Sequence, residues 1–465
     1  MQHEPTIAIA DKIICDRRHV TQDEARQLTW KRLYRRLIPL PLARALNQPL
    51  LMPYNRLVVL VLAANLALAY AARPNWWSGH PINLHAISTF ALANLTLAIL
   101  IRQQLVINLL FRLATRAPTT WPLRIRSTLG KVYHFGGLHV GAAIAGTLWF
   151  LALAGSQTYS AAIGHNAVPA PHLAISLALA VLLVTIVVTA LPPLRQRFHN
   201  IFERAHRFAG WAVLALFWAQ TIDSAADGPS GVSQLWARPS VWILAVLTLS
   251  IGLPWLRLRR VPILLERPSS HAALTSFNYG VTPFAGSSMP ISVHPLLEWH
   301  SFANIPSPGR PGFRLIVSRA GDWTQSFIDN QPSHVWVKGI PVAGVASIVK
   351  LFTRVVWVAT GSGIGPVLPH LLAQQVPAQL VWPTRSPRAT YGDALIDEIL
   401  AVQPNAIIWD TTARGKPDIV GLADQAYSAF HAEAVICISN KKLTRQVVHD
   451  LKRRGIPTYG PIWDS

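Results

Sequence analysis

The sequence has 465 residues, of which 51% are hydrophobic and 14% charged, and its formal net charge is +21. Its basic residues lie mostly in clusters between hydrophobic runs, and no nucleic-acid-binding motif is present, so nucleic acid is not expected as a partner. The two cysteines, Cys15 and Cys437, belong to no CxxC or metal-ligand spacing, so neither a disulfide framework nor a zinc site is expected.

Six hydrophobic segments precede residue 257, and several approach the ~20 apolar residues that span a bilayer. They are residues 57–72, 82–101, 138–155, 173–191, 208–222 and 241–256. Basic clusters lie before the first segment, after every second segment and after the last. The positive-inside rule therefore predicts a multi-pass protein of the cell (inner) membrane with both termini in the cytoplasm and the lipid bilayer as a partner.

A shorter apolar stretch, residues 105–113, is too short to span and is expected to lie along the membrane surface. From residue 291 onward the pattern changes to short β-branched runs separated by proline and glycine, and then to strands alternating with helical segments. This pattern predicts a small β-barrel followed by a parallel α/β unit. The expected strands of that unit are residues 354–359, 379–382, 406–409 and 434–438.

The most informative soluble motif is VVWVATGSGIGPVLPHLL at residues 355–372, which reads as a buried strand, a glycine-rich turn and a helix. Glycines in such a turn let the backbone approach a pyrophosphate, and the amides at the helix start can hold it. The alternative is a tight turn with a purely structural role. The candidate binding residues are Thr360, Gly361, Ser362, Gly363, Ile364, Gly365 and Pro366.

Two motifs upstream of this turn, LEWHSFANIP at residues 297–306 and LIVSRAGDWTQSF at residues 315–327, form a pair. The pair resembles the flavin-binding motifs of the ferredoxin-NADP reductase superfamily, as found in ferric reductases and NADPH oxidases. The resemblance implies FAD, with an aromatic residue on the isoalloxazine and a diphosphate at the helix N-terminus. His300 replaces the arginine of soluble members, and Ser301 and Ala303 replace the proline and threonine of membrane members. The implied contacts are Trp299, His300, Ser301, Phe302, Ala303, Arg319, Gly321 and Thr324.

Residues 380–395, LVWPTRSPRATYGDAL, match in position the superfamily's segment for the adenosine ribose of a nicotinamide nucleotide. Arg385, Ser386 and Arg388 suit a 2′-phosphate, so NADPH or NADH is implied, and a solvated basic turn is the alternative. The superfamily's Cys-Gly-Pro after the last strand is replaced by residues 437–440, and Trp463 is either a flavin-shielding aromatic or a surface residue.

The whole chain resembles the TmpA-type integral membrane flavoprotein family, through YHFGGLH at residues 133–139, HNIFERAHRFAGW at 199–211 and YGPIWDS at 459–465. Ferric reductases carry histidine pairs on two parallel helices as haem ligands. Leu153 and Gln220 stand in place of the outer ligands, so a two-haem relay is not expected. A single inner haem b stays open against a structural role for the histidines. Its candidate ligands are His139 and His206, with His134 and His199 as weaker candidates.

The resemblance implies a fold of six transmembrane helices, ferric reductase-like, followed by a β-barrel FAD domain and an α/β nucleotide-binding domain. The predicted boundaries are 1–56 for a basic N-terminal segment, then 57–257, 258–350 and 351–465. The expected function is a membrane-bound flavin-dependent oxidoreductase that passes electrons from NAD(P)H through FAD to an unknown electron acceptor, in the membrane or ferric. The alternative is a degenerate reductase fold acting as a non-catalytic transporter, sensor or scaffold.

Overall fold

The computed structural model describes residues 52–71, 84–164, 169–226 and 235–462. Most of the basic N-terminal segment and the candidate residue Trp463 lie outside the described residues. The described part contains a helical region, an antiparallel sheet and a parallel sheet, in that order along the chain.

The helical region contains nine α-helices among the described residues, with short 3-10 turns at Val132–Phe135 and at residues 235–237. They are α1 (Pro53–Ala71), α2 (Leu84–Leu100), α3 (Gln104–Ala114), α4 (Leu123–Leu129), the turn Val132–Phe135, α5 (Gly136–Ala162), α6 (Ala170–Thr189), α7 (Pro192–Arg197), α8 (His199–Ala226) and α9 (Pro239–Leu256).

Helix α5 packs closely against its neighbours because glycines line its contact face. A Cβ atom at Gly137 would lie 2.2 Å from the carbonyl oxygen of Tyr54, and one at Gly141 would lie 2.9 Å from Cβ of Val61, both on α1. Small residues at such positions let two helix backbones approach, which is a common way for apolar helices to associate.

Four helical segments of the described chain are long and apolar enough to cross a membrane. A fifth is obtained if α2 and α3, which meet at an angle of 72°, are counted as one span. Helix α8, which contains the predicted segment 208–222, is not among them. The described residues therefore do not show the expected six-span bundle, which stays a prediction. The four segments are Pro53–Ala71, Leu123–Ala162, Ala170–Thr189 and Pro239–Leu256.

The antiparallel sheet follows α9 directly and has the strand order β4-β3-β6-β1-β2-β5, with β7 beside β3. Its core is closed by stacked Phe277 and Phe313, whose ring centroids lie 4.8 Å apart, and by the helix α10 (Asp322–Asn330) between β5 and β6. This sheet confirms the expected barrel-like antiparallel domain. Its strands are β1 (Arg259–Glu266), β2 (Ala272–Phe277), β3 (Ser287–Ser292), β4 (His300–Ala303), β5 (Phe313–Ser318), β6 (His334–Val337) and β7 (Val342–Ala343).

The parallel sheet has the order β10-β9-β8-β11-β12 and confirms the expected α/β domain. Its central strand β8 is fully buried because helices cover both faces of the sheet. Its strands are β8 (Val355–Ala359), β9 (Ala378–Thr384), β10 (Ile407–Asp410), β11 (Ala434–Ile438) and β12 (Thr458–Tyr459). Its helices are the 3-10 segments Val345–Leu351 and Gly361–Gly363, with α11 (Ile364–Ala373), α12 (Pro387–Tyr391), α13 (Asp393–Val402), α14 (Thr411–Arg414), α15 (Ile419–Ala429) and α16 (Lys441–Arg453).

Helix α3 joins the helical region to the α/β domain. Ile107 and Phe111 are buried in the same hydrophobic core as Trp357 and Tyr459 of the parallel sheet. The amide group of Asn108 donates a 2.9 Å hydrogen bond to the carbonyl of Pro341 and accepts a 2.9 Å bond from the amide of Ala343. One face of the stretch predicted to lie along a membrane surface therefore packs against protein.

Candidate functional site

The glycine-rich turn lies at the point where the strand order of the parallel sheet reverses. Strand β8 is followed along the chain by β9 on one side of it, and the later strand β11 pairs with its other side. Ligands of open α/β sheets bind at such a switch point, outside the carboxyl ends of the strands. The structure thus brings Thr360, Gly361 and Gly363 to the end of β8 where a dinucleotide is expected.

Close packing at the switch point requires glycine at position 363. A Cβ atom there would lie 2.1 Å from the carbonyl oxygen of Ile438, at the end of β11. Gly361 has a φ angle of +50°, which favours glycine as well. The Thr360 amide donates to the same Ile438 carbonyl at 3.2 Å, and the hydroxyls of Thr360 and Ser439 bond to each other. The turn is therefore held against β11, and α11 begins directly after it.

Residues 437–440, which replace the superfamily's Cys-Gly-Pro, lie partly in β11 and partly in the turn that follows it. Cys437 is fully buried inside β11, and burial raises the pKa of its thiol to about 12. Ser439 comes after the strand and faces Thr360. Sequence reasoning assigned no role to Ser439, although its position directly after the last long strand indicates that it lies near the glycine-rich turn.

The segment assigned to the adenosine ribose follows β9. The Ser386 amide donates to the carboxylate of Asp410 at 3.0 Å, and its hydroxyl donates to Thr412 at 3.1 Å. Arg388 forms ion pairs with two carboxylates, those of Asp393 and Asp397, both at 2.8 Å.

Arg385 differs from Arg388 in its surroundings. The carboxylates of Asp393 and Asp397 raise the pKa of Arg388, whose guanidinium they occupy. Arg385 is exposed, and within the described part of the chain its side chain has no ion pair or hydrogen bond. Of the two predicted phosphate-binding arginines, only Arg385 presents an unengaged guanidinium.

The two predicted flavin motifs are neighbours in space. The ring of His300, on β4, stacks on Trp323 in the first turn of α10 with a centroid distance of 4.1 Å. Phe302 lies 5.9 Å from the same indole. Burial, followed by the nearby His199, lowers the pKa of His300 to about 4, so the imidazole is neutral at pH 7. Trp323 was not singled out from the sequence, although it occupies the aromatic position of the Gly-x-Trp-Thr pattern.

The polar side chains expected at the flavin diphosphate are engaged within the protein. Arg319 forms a 2.5 Å ion pair with Asp329 and donates to the carbonyl of Ser270. The hydroxyl of Thr324 accepts from the amides of Ala320 and Gly321 at 2.9 and 3.0 Å. Both side chains therefore shape the N-terminus of α10, where they hold the loop that carries Gly321.

Trp299 was also predicted to contact the cofactor, but it belongs to the joint between the barrel and the helices. Its indole and that of Trp255 on α9 enclose Lys338, whose ammonium nitrogen lies 4.1 Å from each ring centroid. Burial, followed by the nearby Arg207, lowers the pKa of Lys338 to about 7. Glu203 of α8 accepts from the Trp299 amide at 3.0 Å.

The imidazole rings of His139 on α5 and His206 on α8 face each other, with ring centroids 6.3 Å apart. Both line an apolar cavity of about 380 Å³, together with Arg102 and Trp211. The Nδ1 atom of His139 is 2.8 Å from the carbonyl of Ala98, which leaves its Nε2 atom available to a ligand.

The two weaker candidates do not join this pair. His134 is buried in the turn before α5, where its ring lies 4.3 Å from that of Tyr133. His199 lies at the start of α8, 6.4 Å from the ring of Phe202. Neither residue lines the cavity, so the structure separates them from His139 and His206.

A barrel-like antiparallel domain followed by an α/β domain with a glycine-rich turn at its switch point is the class of architecture that these observations define. Residues 345–465 match the family model described as "Adenylate-forming reductase 03009, C-terminal domain". The chain is 42% identical to the adenylate-forming reductase 03009 of Coprinopsis cinerea over 430 residues, which are 91% of this chain and 41% of that protein. It is 40% identical to adenylate-forming reductase 06235 of the same fungus over 428 residues, again 91% and 41%. The chain thus spans about two fifths of the length of the curated relatives it matches.

Solved structures give a more distant likeness. A ferredoxin NADP+ reductase from Neisseria gonorrhoeae with bound FAD and NADP is 13% identical, with a TM-score of 0.36, and covers 44% of this chain and 98% of its own. The Plasmodium falciparum ferredoxin-NADP+ reductase with 2'P-AMP is 11% identical, with a TM-score of 0.34 and coverages of 45% and 96%. The two sheets are defined by their own strand order.

These relatives correct two expectations. The assignment to the TmpA-type membrane flavoproteins is wrong, because the similar proteins over 91% of the chain are adenylate-forming reductases. The expected function, electron transfer to a membrane or ferric acceptor with a non-catalytic membrane protein as its alternative, is wrong for the same reason. The motifs on which the TmpA-type assignment rested are common to many proteins and did not distinguish among them.

Proposed function

We propose that this chain is a flavin-containing, NAD(P)H-dependent reductase that supplies the reduction step of a protein of the adenylate-forming reductase kind. The observation that carries the proposal is the glycine-rich turn at the switch point, where Gly363 lies against the end of β11. The name of the relatives joins adenylate formation with reduction, and the match to their C-terminal domain includes this turn.

Both cofactors have candidate residues of suitable chemistry. When bound, the nicotinamide supplies a hydride and the flavin accepts it. The backbone from Gly361 to Gly365 binds the dinucleotide diphosphate, and the hydroxyls of Thr360 and Ser439 border the reacting end. His300, Phe302 and Trp323 provide the aromatic surface for the isoalloxazine. Arg319 and Thr324 hold the loop before α10, whose N-terminus would lie beside the flavin diphosphate.

The location is a further part of the proposal. We infer that the apolar helices lie in the cell membrane and that both termini are cytoplasmic. Support comes from the four apolar segments and from the basic clusters that follow every second hydrophobic segment. Quenching of a fluorescent label at Leu66→Cys by chain-labelled lipid in nanodiscs tests the membrane location, and a topology reporter fused after Ser465 tests the side on which the C-terminus lies.

The histidine pair favours one finer proposal, that His139 and His206 hold a haem b. Two imidazoles bound axially to one metal, with metal–nitrogen bonds of about 2.0–2.1 Å, have ring centroids about 6 Å apart. The observed centroid distance is 6.3 Å, and the adjoining cavity is apolar with Arg102 and Arg207 at its border. Arg102 is suited to bind a propionate group, whereas Arg207 is engaged by Glu203 and by the carbonyl of Leu296.

The absorption spectrum of the purified full chain tests both cofactors. We expect a flavin band at about 450 nm. We also expect a Soret band that is lost in His139→Ala and His206→Ala but kept in the matched variant His134→Ala. Protein without flavin after reconstitution with FAD would refute the reductase proposal. A missing Soret band after haem supplementation would refute only the haem site.

Nucleotide preference gives a second measurement on the same protein, by anaerobic stopped-flow reduction of the flavin. Arg385→Ala should weaken NADPH by about 1.5–3 kcal/mol, because a charged hydrogen bond to the 2′-phosphate is lost, and should leave NADH unchanged. Arg388→Ala is the control, since its guanidinium is engaged by Asp393 and Asp397. An equal loss for both nucleotides in Arg385→Ala would show that the residue serves the fold.

A further inference from the structure

Helix α3 has two apolar faces. Ile107 and Phe111 face the α/β domain and are 8% and 3% exposed. Leu105, Leu109 and Leu113, spaced by one helical turn each, are 54%, 52% and 56% exposed. A surface helix in water has one apolar face and one polar face, so a leucine stripe opposite a buried face indicates a second apolar environment.

The helix cannot rotate to hide this stripe. Asn108 pairs with the backbone of Pro341 and Ala343 on the edge of the barrel sheet. Gln104 accepts from the amide of Ile340 at 3.1 Å. These bonds fix the side of the helix that carries Ile107 and Phe111, and with it the direction in which the leucines point.

The charges of the segment identify its partner. Residues 101–135 contain five arginines and one lysine but no aspartate or glutamate. Arg112 and Arg116 are exposed, and within the described part of the chain neither has a carboxylate partner. A leucine stripe with unpaired arginines beside it suits an interface with anionic lipid headgroups.

The angle between α2 and α3 also favours an orientation of α3 parallel to the membrane surface. Helix α2 ends three residues before α3, and the two helix axes differ by 72°. If α2 runs along the bilayer normal, this turn carries α3 most of the way into the plane of the membrane. Trp121 and Ile125, which follow in the same basic segment, are also exposed, at 46% and 45%.

We propose that the leucine face of α3 lies in the headgroup region of an anionic lipid leaflet, while its other face holds the α/β domain. The inference rests on the proposed membrane location. Helix α3 then contacts lipid with one face and protein with the other, and so holds the nucleotide-binding domain at the membrane surface.

Fluorescent labels on single cysteines test this placement in the full chain, with Cys15→Ser as background. The sites are Leu109→Cys on the leucine face, Leu66→Cys on the apolar outside of α1, and Ser428→Cys on the exposed side of α15. The protein is reconstituted in phosphatidylcholine nanodiscs, with or without phosphatidylglycerol, that contain headgroup-labelled or chain-labelled quenching lipids. Quenching of each label is then measured.

We expect the label at position 109 to be quenched most by headgroup-labelled lipid, and more strongly with phosphatidylglycerol. The label at position 66 should be quenched by chain-labelled lipid, and that at position 428 by neither. An unquenched label at 109 beside a quenched label at 66 would overturn the proposal and leave the membrane location intact. Unquenched labels at both positions would overturn the location together with the proposal.

A double substitution tests the contribution of the arginines beside the leucine face. Replacing both arginines, Arg112→Gln and Arg116→Gln, should reduce the quenching at position 109 in phosphatidylglycerol nanodiscs to the level in phosphatidylcholine alone. The control is Lys416→Gln with Lys442→Gln, two exposed lysines of the α/β domain, which changes the net charge by the same amount and should leave the quenching unaltered. Equal effects of the two double variants would overturn the assignment to headgroups.

Discussion

The helical region and the α/β domain are both strongly apolar, but they place their apolar side chains differently. In α1, Tyr54 is the one buried residue of 19, and Leu66 is 72% exposed. In β8, all five residues are completely buried. The α/β domain therefore covers its own hydrophobic residues, whereas helices such as α1 leave theirs facing outward. Hydrophobicity alone does not distinguish a protein core from a lipid-facing surface; burial does.

Helix α3 combines both kinds of surface, and a pair of substitutions can separate them. Phe111→Ala should lower the free energy of unfolding by about 3–5 kcal/mol, because it leaves a cavity in a shared core. Leu109→Ala should change it by about 1 kcal/mol or less, because half of that side chain is already exposed. Thermal unfolding of the full chain in detergent, followed by tryptophan fluorescence, measures both. Equal losses of unfolding free energy in the two variants would contradict the assignment of Phe111 to the core and of Leu109 to the outer face.

The ion pair between Arg126 and Glu433 should give the next largest effect. The Arg126 guanidinium donates to both oxygens of Glu433, at 2.7 and 2.8 Å, and to the carbonyl of Leu351. Arg126→Met should lower the free energy of unfolding by about 2–3 kcal/mol, because it leaves a partly buried carboxylate unpaired. The exposed pair of Arg388 is the control, and Arg388→Met should have a much smaller effect, because an exposed ion pair is screened by solvent.

The same pair predicts a pH dependence. Burial alone would raise the pKa of Glu433, but the bonds from Arg126 and from the Thr353 amide hold it below its ordinary value. The pair thus stabilises the fold above the unfolded-state pKa of about 4.3, and this contribution is lost as the pH falls through the folded-state pKa. Below pH 4, wild type and Arg126→Met should converge in unfolding temperature. A constant difference from pH 7 to pH 3 would refute the role of the pair.

A comparison of glycines gives the smallest of these effects. Gly363→Ala should lower stability by about 1–3 kcal/mol, because the new methyl group meets the Ile438 carbonyl at 2.1 Å. Gly252→Ala, in α9, has no atom within 4 Å of its Cβ and should be neutral or slightly stabilising. Gly363→Ala should also weaken nucleotide binding, measured by titration of the flavin spectrum. Normal stability and binding in that variant would refute the close packing at the switch point.

The parts of this protein that could be predicted from the sequence depend on neighbouring residues. The strand and glycine-rich turn at residues 355–365 were predicted because β-branched residues, glycine and a helix start follow one another within a few positions. The two flavin motifs were identified through their resemblance to the motifs of a superfamily, in which they follow the same order. The family was predicted wrongly, because the motifs on which the assignment rested are common to many proteins.

The partners that individual side chains contact were decided by the tertiary structure alone. Arg319 and Arg388 read in the sequence as phosphate ligands, but the fold brings carboxylates to both of them. Trp299 precedes the flavin motif, yet it packs on Lys338 and α9. The stretch at residues 105–113 reads as an amphipathic segment, and only the fold shows that it has a second, buried face. A cation or an apolar side chain binds whichever partner the folded chain places beside it, and sequence distance does not determine that choice.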